Sequence, residues 1–316
     1  LELMKTIMCK YFIITVDTEG DDLWSYKLGD FISTKNADFI QPFQALCEKY
    51  GFKPVYLTNY EMANNNSFVK QATKWLVDGS CEIGIHLHAW NNPPLVDLIG
   101  PYGGNPYLIE YSEDIMRDKF ETIFNLLKEK FSVIPVSHRA GRWAMDTRYF
   151  KILREYGVLV DCSHTAGASW KSQKGVTMGG SDYTNVPDTP TLINGVLEVP
   201  ISVMKSRLPI AGTFRHLAKC IIKGHGIYLR PASSLLREMR YYLNVMSRRK
   251  DLDYVEFMIH SSELMPGGSP YFPDSKSVEQ LYKTMDYIFS YAHDLGYRGI
   301  TLKDYYKTRV KCESVL

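Results

Sequence analysis

Nowhere in the 316 residues does an apolar run approach the roughly 18 to 20 residues that carry a helix across a bilayer. The chain therefore reads as globular and not as a helical membrane protein. Its first ten residues lack the apolar stretch and small-residue cleavage site of a secretory leader. The six cysteines, Cys9, Cys47, Cys81, Cys162, Cys220 and Cys312, form no C-x-x-C pair. That argues against a zinc ribbon or a disulfide framework and for reduced thiols in a reducing compartment. The expected location is cytoplasmic, with peripheral contact at the inner face of the membrane as an extension of that reading. Neither an internal repeat nor a low-complexity tract is present. The glycine-rich run 265–270 is followed by no Lys-Ser or Lys-Thr, which excludes a phosphate loop and leaves a turn beside the site. Acids are scarce in one place: 205–250 holds eleven Lys or Arg and the single acid Glu238, leaving about −8 on the rest of a chain of formal charge +2.

What is present is alternation. Strand-like apolar runs and helix-like amphipathic runs succeed one another, the pattern of βα units around a parallel sheet or barrel. A hydrophobic content of 45% gives an ample core. One catalytic domain over 1–316 is expected, with a basic helical insertion at about 205–250. Helices are expected over 37–50, from an N-cap at Ser67 to about 78, from Ser112 to about 131, and over 145–156, 213–223, 232–246 and 275–295. Strands are expected over 52–57, 196–199 and 299–301. Residues 91–111, rich in Pro, Gly, Asn and Tyr, are too long for a plain connection and are expected to overhang a site. Residues 165–190 read as irregular.

Five apolar runs end in residues that bind metals or move protons. Residues 11–16 precede Asp17-Thr18-Glu19, 81–85 precede His86-Leu87-His88, 133–136 precede His138 and Arg139, 158–160 precede Asp161, and 255–259 precede His260. Catalytic groups of α/β folds sit where strands end, because a rigid strand aims a side chain that the following loop leaves accessible. Residues i and i+2 of a strand point to one side. Asp17 and Glu19 can therefore face one point, and His86 and His88 another. Two imidazoles with one or two carboxylates are the donors of a catalytic zinc or similar divalent ion. An isolated H-x-H more often packs or hydrogen-bonds than ligates; beside Asp-x-Glu and His260 the metal reading is preferred.

In order and context these residues resemble the polysaccharide deacetylases of the NodB-homology type, the carbohydrate esterase family 4 superfamily, across roughly 11–301. Thr15-Val16-Asp17-Thr18-Glu19-Gly20 is similar to that family's first motif, which implies Asp17 as general base and Glu19 as metal ligand. The stretch 82–90 resembles its H-x-x-x-H motif, with His86 matching, His88 displaced by two residues, and Trp90 in the place of the second histidine. Residues 137–143 resemble the R-x-P-like turn, making Arg139 the partner of Asp17. Asp161 falls at the fourth motif, without that motif's Trp, and is expected to hold His260 protonated. Residues 257–263 resemble the fifth motif, which makes His260 the general acid. The implied fold is a distorted (β/α) barrel, and the implied ion is Zn²⁺ or else Co²⁺, Mn²⁺ or Ni²⁺. The implied reaction is removal of the N-acetyl group from an amino sugar of a polysaccharide or its precursor. Two alternatives stay open: an amidase for another non-peptide C–N bond, and a non-catalytic glycan-binding module with a decayed metal site.

Other residues have plainer readings. His138 and His164 are expected as hydrogen-bonding wall residues. Asp21 and Asp22 are expected to be solvated, with either able to replace Glu19 at the metal. His216, His225 and His293 are expected to be structural or exposed. Trp90, Tyr102, Tyr107, Trp143 and Trp170 are candidates for stacking on sugar faces or for ordinary packing. The basic segment is read first as packing with a solvated charged side. The sharper reading is contact with an anionic membrane or a phosphate-linked sugar carrier. No nucleic-acid motif accompanies the charge, and no nucleic-acid partner is expected.

Overall fold

The computed structural model describes residues 9–27, 29–206 and 225–313. Its centre is β1 (Lys10–Thr18), fully buried from Ile13 to Val16, which pairs in parallel with β10 (Tyr254–His260) along one edge. Its other edge is shared by two strands, β2 (Pro54–Thr58) beside its end and β11 (Tyr297–Gly299) beside its start. The sheet continues through β3 (Glu82–Leu87), β4 (Ser137–Ala140), β5 (Val160–Asp161) and β7 (Val196–Glu198) to β6 (Thr191–Ile193). Every pairing is parallel except β6 with β7. Among the described residues no ladder joins the β6–β7 end to β10. The chain leaving β7 bridges that gap instead: Ser202 Oγ accepts from the Glu256 amide at 2.7 Å, and the Tyr254 hydroxyl donates to Pro200 O at 2.7 Å. The result is a curled, mixed half-barrel, the distorted (β/α) barrel expected.

The two faces of this sheet differ in chemistry. On the outer face Phe12 stacks on Phe52 at 4.7 Å and meets Phe289 of α7 (Ser275–Asp294) edge-on at 5.7 Å. Tyr56 stacks on Trp75 of α3 (Asn66–Val77) at 5.5 Å. The inner face carries Thr15, Asp17, Arg139 and Glu256, all buried. Strand alternation produces this division, since neighbouring residues of one strand point to opposite faces.

Helix starts depart from expectation where a better cap or a proline intervenes. Pro42 lacks an amide hydrogen and belongs in a first turn. Accordingly α1 (Gln41–Lys49) begins there, after a separate 3-10 turn over Lys35–Phe39. The α3 helix is capped by Asn65, whose side chain accepts from Phe68 N at 2.9 Å, and not by Ser67. Asp146 caps α5 (Thr147–Glu155), while α4 (Glu113–Phe131) follows Ser112 as expected. Strand β11 lies two residues earlier than the strand expected over 299–301 and includes only Gly299 of it, and α8 (Leu302–Glu313) begins just after that stretch.

Within the basic segment, β8 (Val203–Ser206) and β9 (His225–Tyr228) pair as an antiparallel ribbon. The helix expected over 213–223 lies outside the described residues. The second basic helix is α6 (Leu236–Arg248), which buries Met239, Tyr242, Leu243 and Met246 and ties Asn244 to Tyr291 of α7 at 2.8 Å. Cys9, Cys47, Cys81 and Cys162 are free thiols. Among the described residues no helix is long and apolar enough to cross a membrane.

Candidate active site

The C-terminal ends of β1, β3, β4 and β10 meet in register, Asp17 opposite His260 and His86 opposite Arg139. Residues opposite one another in a parallel pair share a face, so all four side chains point inward. Arg139 is the hub of the buried floor. Its Nη1 donates to Asp17 Oδ1 at 2.6 Å, its Nη2 donates to Thr15 Oγ1 at 2.9 Å and to Glu256, and its Nε donates to Cys162 O at 3.0 Å. Burial opposes ionisation of Asp17, but the Arg139 guanidinium, then His86 and His260, outweigh it and hold the carboxyl below its ordinary range.

Beside Asp17, Glu19, His86 and His88 converge, all buried. The His88 and His86 Nε2 atoms lie 2.9 Å apart, and Glu19 Oε2 stands 3.2 Å from the first and 3.5 Å from the second. Tetrahedral coordination with bonds of ~2.05 Å separates donor atoms by roughly 3.3 Å, so the spacing and donor chemistry fit a catalytic divalent ion. His86 donates from Nδ1 to Arg139 O at 3.0 Å, which fixes its ring and turns Nε2 to the centre. Burial presses the His88 imidazole toward its neutral, ligating form despite its bond to Glu19. Burial resists ionisation of Glu19, yet the neighbouring His260 and the hydrogen bonds from His86 and His88 hold its carboxyl well below the usual range. Trp90 stacks on His88 at 4.3 Å, covering its outer side. Gly141 makes this crowding feasible, because a Cβ there would lie 2.3 Å from His88 Cδ2 and 2.5 Å from Leu87 O.

Two sequence expectations are corrected here. Asp161 does not stand beside His260. It accepts from His138 Nδ1 at 2.6 Å and from Ser163 Oγ at 2.8 Å, and His138 Nε2 meets the Tyr149 hydroxyl at 2.7 Å. In register with His138, Asp161 points to the outer face. The neighbours of His260 Nδ1 are instead Arg230 Nη2 at 2.8 Å and Glu263 Oε1 at 3.4 Å. Its Nε2 lies 3.7 Å from both Asp17 Oδ2 and Glu19 Oε1. Asp21 is not a solvated spare ligand either, because it accepts from Ser33, Lys35 and Asn36. Asp22 accepts from Ser25. His164 packs against Phe150 and Tyr183, His225 pairs with Glu238, and His293 is exposed, while His216 lies outside the described residues.

Above the floor opens a cleft of about 530 Å³ lined by four of the chain's five tryptophans, Trp24, Trp90, Trp143 and Trp170. Aromatic faces of this kind accept the apolar side of a pyranose ring. Tyr102 and Tyr107, expected beside them from sequence, brace the rim instead: Lys174 lies over the Tyr102 ring at 5.0 Å, and Tyr107 lies under Arg142 at 4.0 Å and donates to Gln173 O at 2.9 Å. The loops 91–111 and 165–190 are zipped together there, with Glu110 accepting from Val176, Thr177 and Met178. Arg142 crosses between them to Asn105 O and Lys174 O. Arg142 and Trp143 both hold φ 56°, successive left-handed non-glycine residues at the cleft wall. Such backbone persists only where surrounding bonds over-determine it. Sequence reasoning missed Trp24, Tyr228, Arg230 and Tyr271, which also line the cleft. Only the Tyr228–Arg230 pair left a signal, since it ends an apolar run as the other site residues do.

Neither a family model nor a curated protein matches the sequence. Solved structures do match in shape. A protein from Mycobacterium smegmatis designated a polysaccharide deacetylase superposes with a TM-score of 0.54 at 14% identity, over 96% of this chain and 92% of that one. The fold is that of the polysaccharide deacetylases. A 4-alpha-glucanotransferase from Thermococcus litoralis superposes with a TM-score of 0.51 at 12% identity, over 94% of this chain but 40% of the other. The polysaccharide-deacetylase fold is thus shared with a different chemistry, and the reaction has to be argued from the site.

Proposed function

We propose that the chain is a metal-dependent hydrolase that removes the N-acetyl group from an amino sugar of a polysaccharide or its precursor. One observation carries the reading: a buried two-imidazole, one-carboxylate set lies against a second, arginine-held carboxylate on the floor of a tryptophan-lined cleft. Glu19, His86 and His88 would hold a divalent cation, Zn²⁺ by donor type with Co²⁺, Mn²⁺ or Ni²⁺ as alternatives; when bound, it supplies a water of lowered pKa and polarises the acetyl carbonyl.

The chain's own residues do the rest. Asp17, kept ionised by Arg139, accepts a proton as the water oxygen bonds to the acetyl carbon. The C–N bond then breaks, the amine leaves with a proton, and acetate forms. Asp17 is placed to move that proton, with His260 the donor beside it, and work of this kind typically accelerates such reactions roughly 10²–10⁴-fold. Trp24, Trp143 and Trp170 present ring faces to the sugar. Glycosyl transfer by a carboxyl pair needs one protonated acid, whereas Asp17 and Glu19 are both held ionised by their neighbours, which favours the hydrolase.

The test is metal content with and without His86→Ala and His88→Ala, followed by acetate release from N-acetylated sugars. About one ion per chain, lost in both variants, with acetate formed by the parent, is the expected result. No ion after reconstitution would favour a glycan-binding module. Bound metal with ammonia or amine released only from small amides would favour the amidase.

A further inference from the structure

His260 carries its own instruction about where its proton sits. Arginine has five N–H donors and no acceptor. Arg230 Nη2 lies 2.8 Å from His260 Nδ1, so that ring nitrogen presents its lone pair and the ring hydrogen is on Nε2. The second hydrogen of the same Nη2 goes to Glu263 Oε1 at 2.6 Å. Glu263 is fully buried, and its other carboxylate oxygen faces the His260 amide at 3.5 Å. Burial disfavours its charge, but Arg230 and then His260 keep the carboxyl below its ordinary range. Trp24 closes the remaining side of the imidazole, edge to face at 5.1 Å. The ring therefore has its Nδ1 side occupied and its Nε2–H turned toward Asp17 Oδ2 and Glu19 Oε1, each 3.7 Å away.

We infer that Arg230, with Glu263 behind it, is a positioning residue that holds His260 as the Nε2–H tautomer, in the place that the resemblance had given to Asp161. The inference rests on the hydrolase reading for its catalytic meaning but not for its structural content. His260 then enters the reaction as a hydrogen-bond donor through Nε2, aimed at the oxyanion that forms from the acetyl carbonyl. The proton that Asp17 takes from water reaches the departing nitrogen, and the balance closes with acetate and amine as products.

The experiment is long-range ¹H–¹⁵N NMR on protein labelled with ¹⁵N-histidine, with His260→Gln to assign the ring. The parent is expected to show a protonated Nε2 and a lone-pair Nδ1 at position 260. In Arg230→Gln the carboxylate of Glu263 becomes the only charged neighbour of Nδ1, and the ring hydrogen is expected to move there. The double variant Arg230→Gln with Glu263→Gln removes both charges together and keeps the test alive if the single variant is poorly folded; it is expected to show a mixture of tautomers. Arg230→Lys, which restores a donor, is expected to restore the parent spectrum. In the acetate assay Arg230→Gln is expected to lower kcat roughly 10²-fold with KM little changed, the signature of a misaimed group. A protonated Nδ1 in the parent, or an unchanged tautomer in both Arg230→Gln and the double variant, would overturn the inference. Absence of acetate release with the expected NMR result would sink the hydrolase reading alone.

Discussion

His260 and His138 both stand on parallel strands of one sheet, and each lies beside a carboxylate, yet they face opposite ways. His260, with its side chain 13% exposed, lines the cleft and has a guanidinium on one ring nitrogen and two carboxylates beyond the other. His138 is wholly buried against Phe120 and Tyr149, with both ring nitrogens satisfied by Asp161 and Tyr149. The inner group leaves donors and acceptors directed at a cavity that a substrate can enter. The outer group closes on itself. A histidine and a carboxylate become a site or a clamp according to which face of the strand they occupy.

That contrast can be broken or sharpened by substitution. The largest effect belongs to the inner group: Asp17→Asn is expected to cut acetate release roughly 10²–10⁴-fold, and activity within a few-fold of the parent would remove Asp17 from the mechanism. Next in size is Arg139→Met, which strands the buried Asp17 and Glu256 carboxylates. Breaking a buried pair in this way costs about 3–5 kcal/mol, to be read from urea denaturation of the metal-free protein.

The outer group should behave in the opposite sense. Asp161→Asn is expected to lose about 1–3 kcal/mol of stability at pH 7, as a buried histidine exchanges a charged acceptor for a neutral amide oxygen, while kcat stays within about 3-fold of the parent because Asp161 faces away from the cleft. Burial resists its ionisation, but the bonds from His138 and Glu198 bring the Asp161 carboxyl from 3.8 down to about 2. A carboxyl depressed in the folded state stabilises above its unfolded pKa and loses that contribution as pH falls through the folded one. The gap between Asp161→Asn and the parent is therefore expected to narrow from about pH 4 toward about pH 2. A fall in kcat matching that of Asp17→Asn would collapse the distinction between the two faces.

The smallest expected effect is a gain. Burial, and then the adjacent Asp161, raise the Glu198 carboxyl well above its ordinary value, so the folded chain holds a proton there that the unfolded chain releases. This burdens the fold increasingly as pH rises above about 4.5, the unfolded value. Glu198→Gln supplies the neutral partner permanently. It is expected to raise stability at pH 8 by on the order of 1 kcal/mol and to change it little at pH 4, as measured by thermal melts at the two pH values.

The strand ends were legible because each combines an apolar run with abrupt polar chemistry. That pattern located Asp17, Glu19, His86, His88, Arg139 and His260 on one end of a barrel, and it located Asp161 there too. It could not tell that Asp161 faces outward, because β5 is two residues long and offers no alternation from which to count. The register His138 opposite Asp161 decides the matter, and register is a property of paired strands. Trp24 and Tyr271 were illegible for another reason. They come from loops far apart in the chain, and no local period marks a loop residue that turns toward a cavity.

The amino-acid order by itself determined the class of fold, through alternating strand and helix periods, and the inventory of chemistry carried to one end of the sheet. Tertiary structure alone decided which of those groups share a face, that Trp90 covers His88, and that Arg230 takes up the place beside His260. The physical reason is that side-chain direction in a strand repeats every two residues, while the direction of the cavity is set by where the neighbouring strands and loops come to rest.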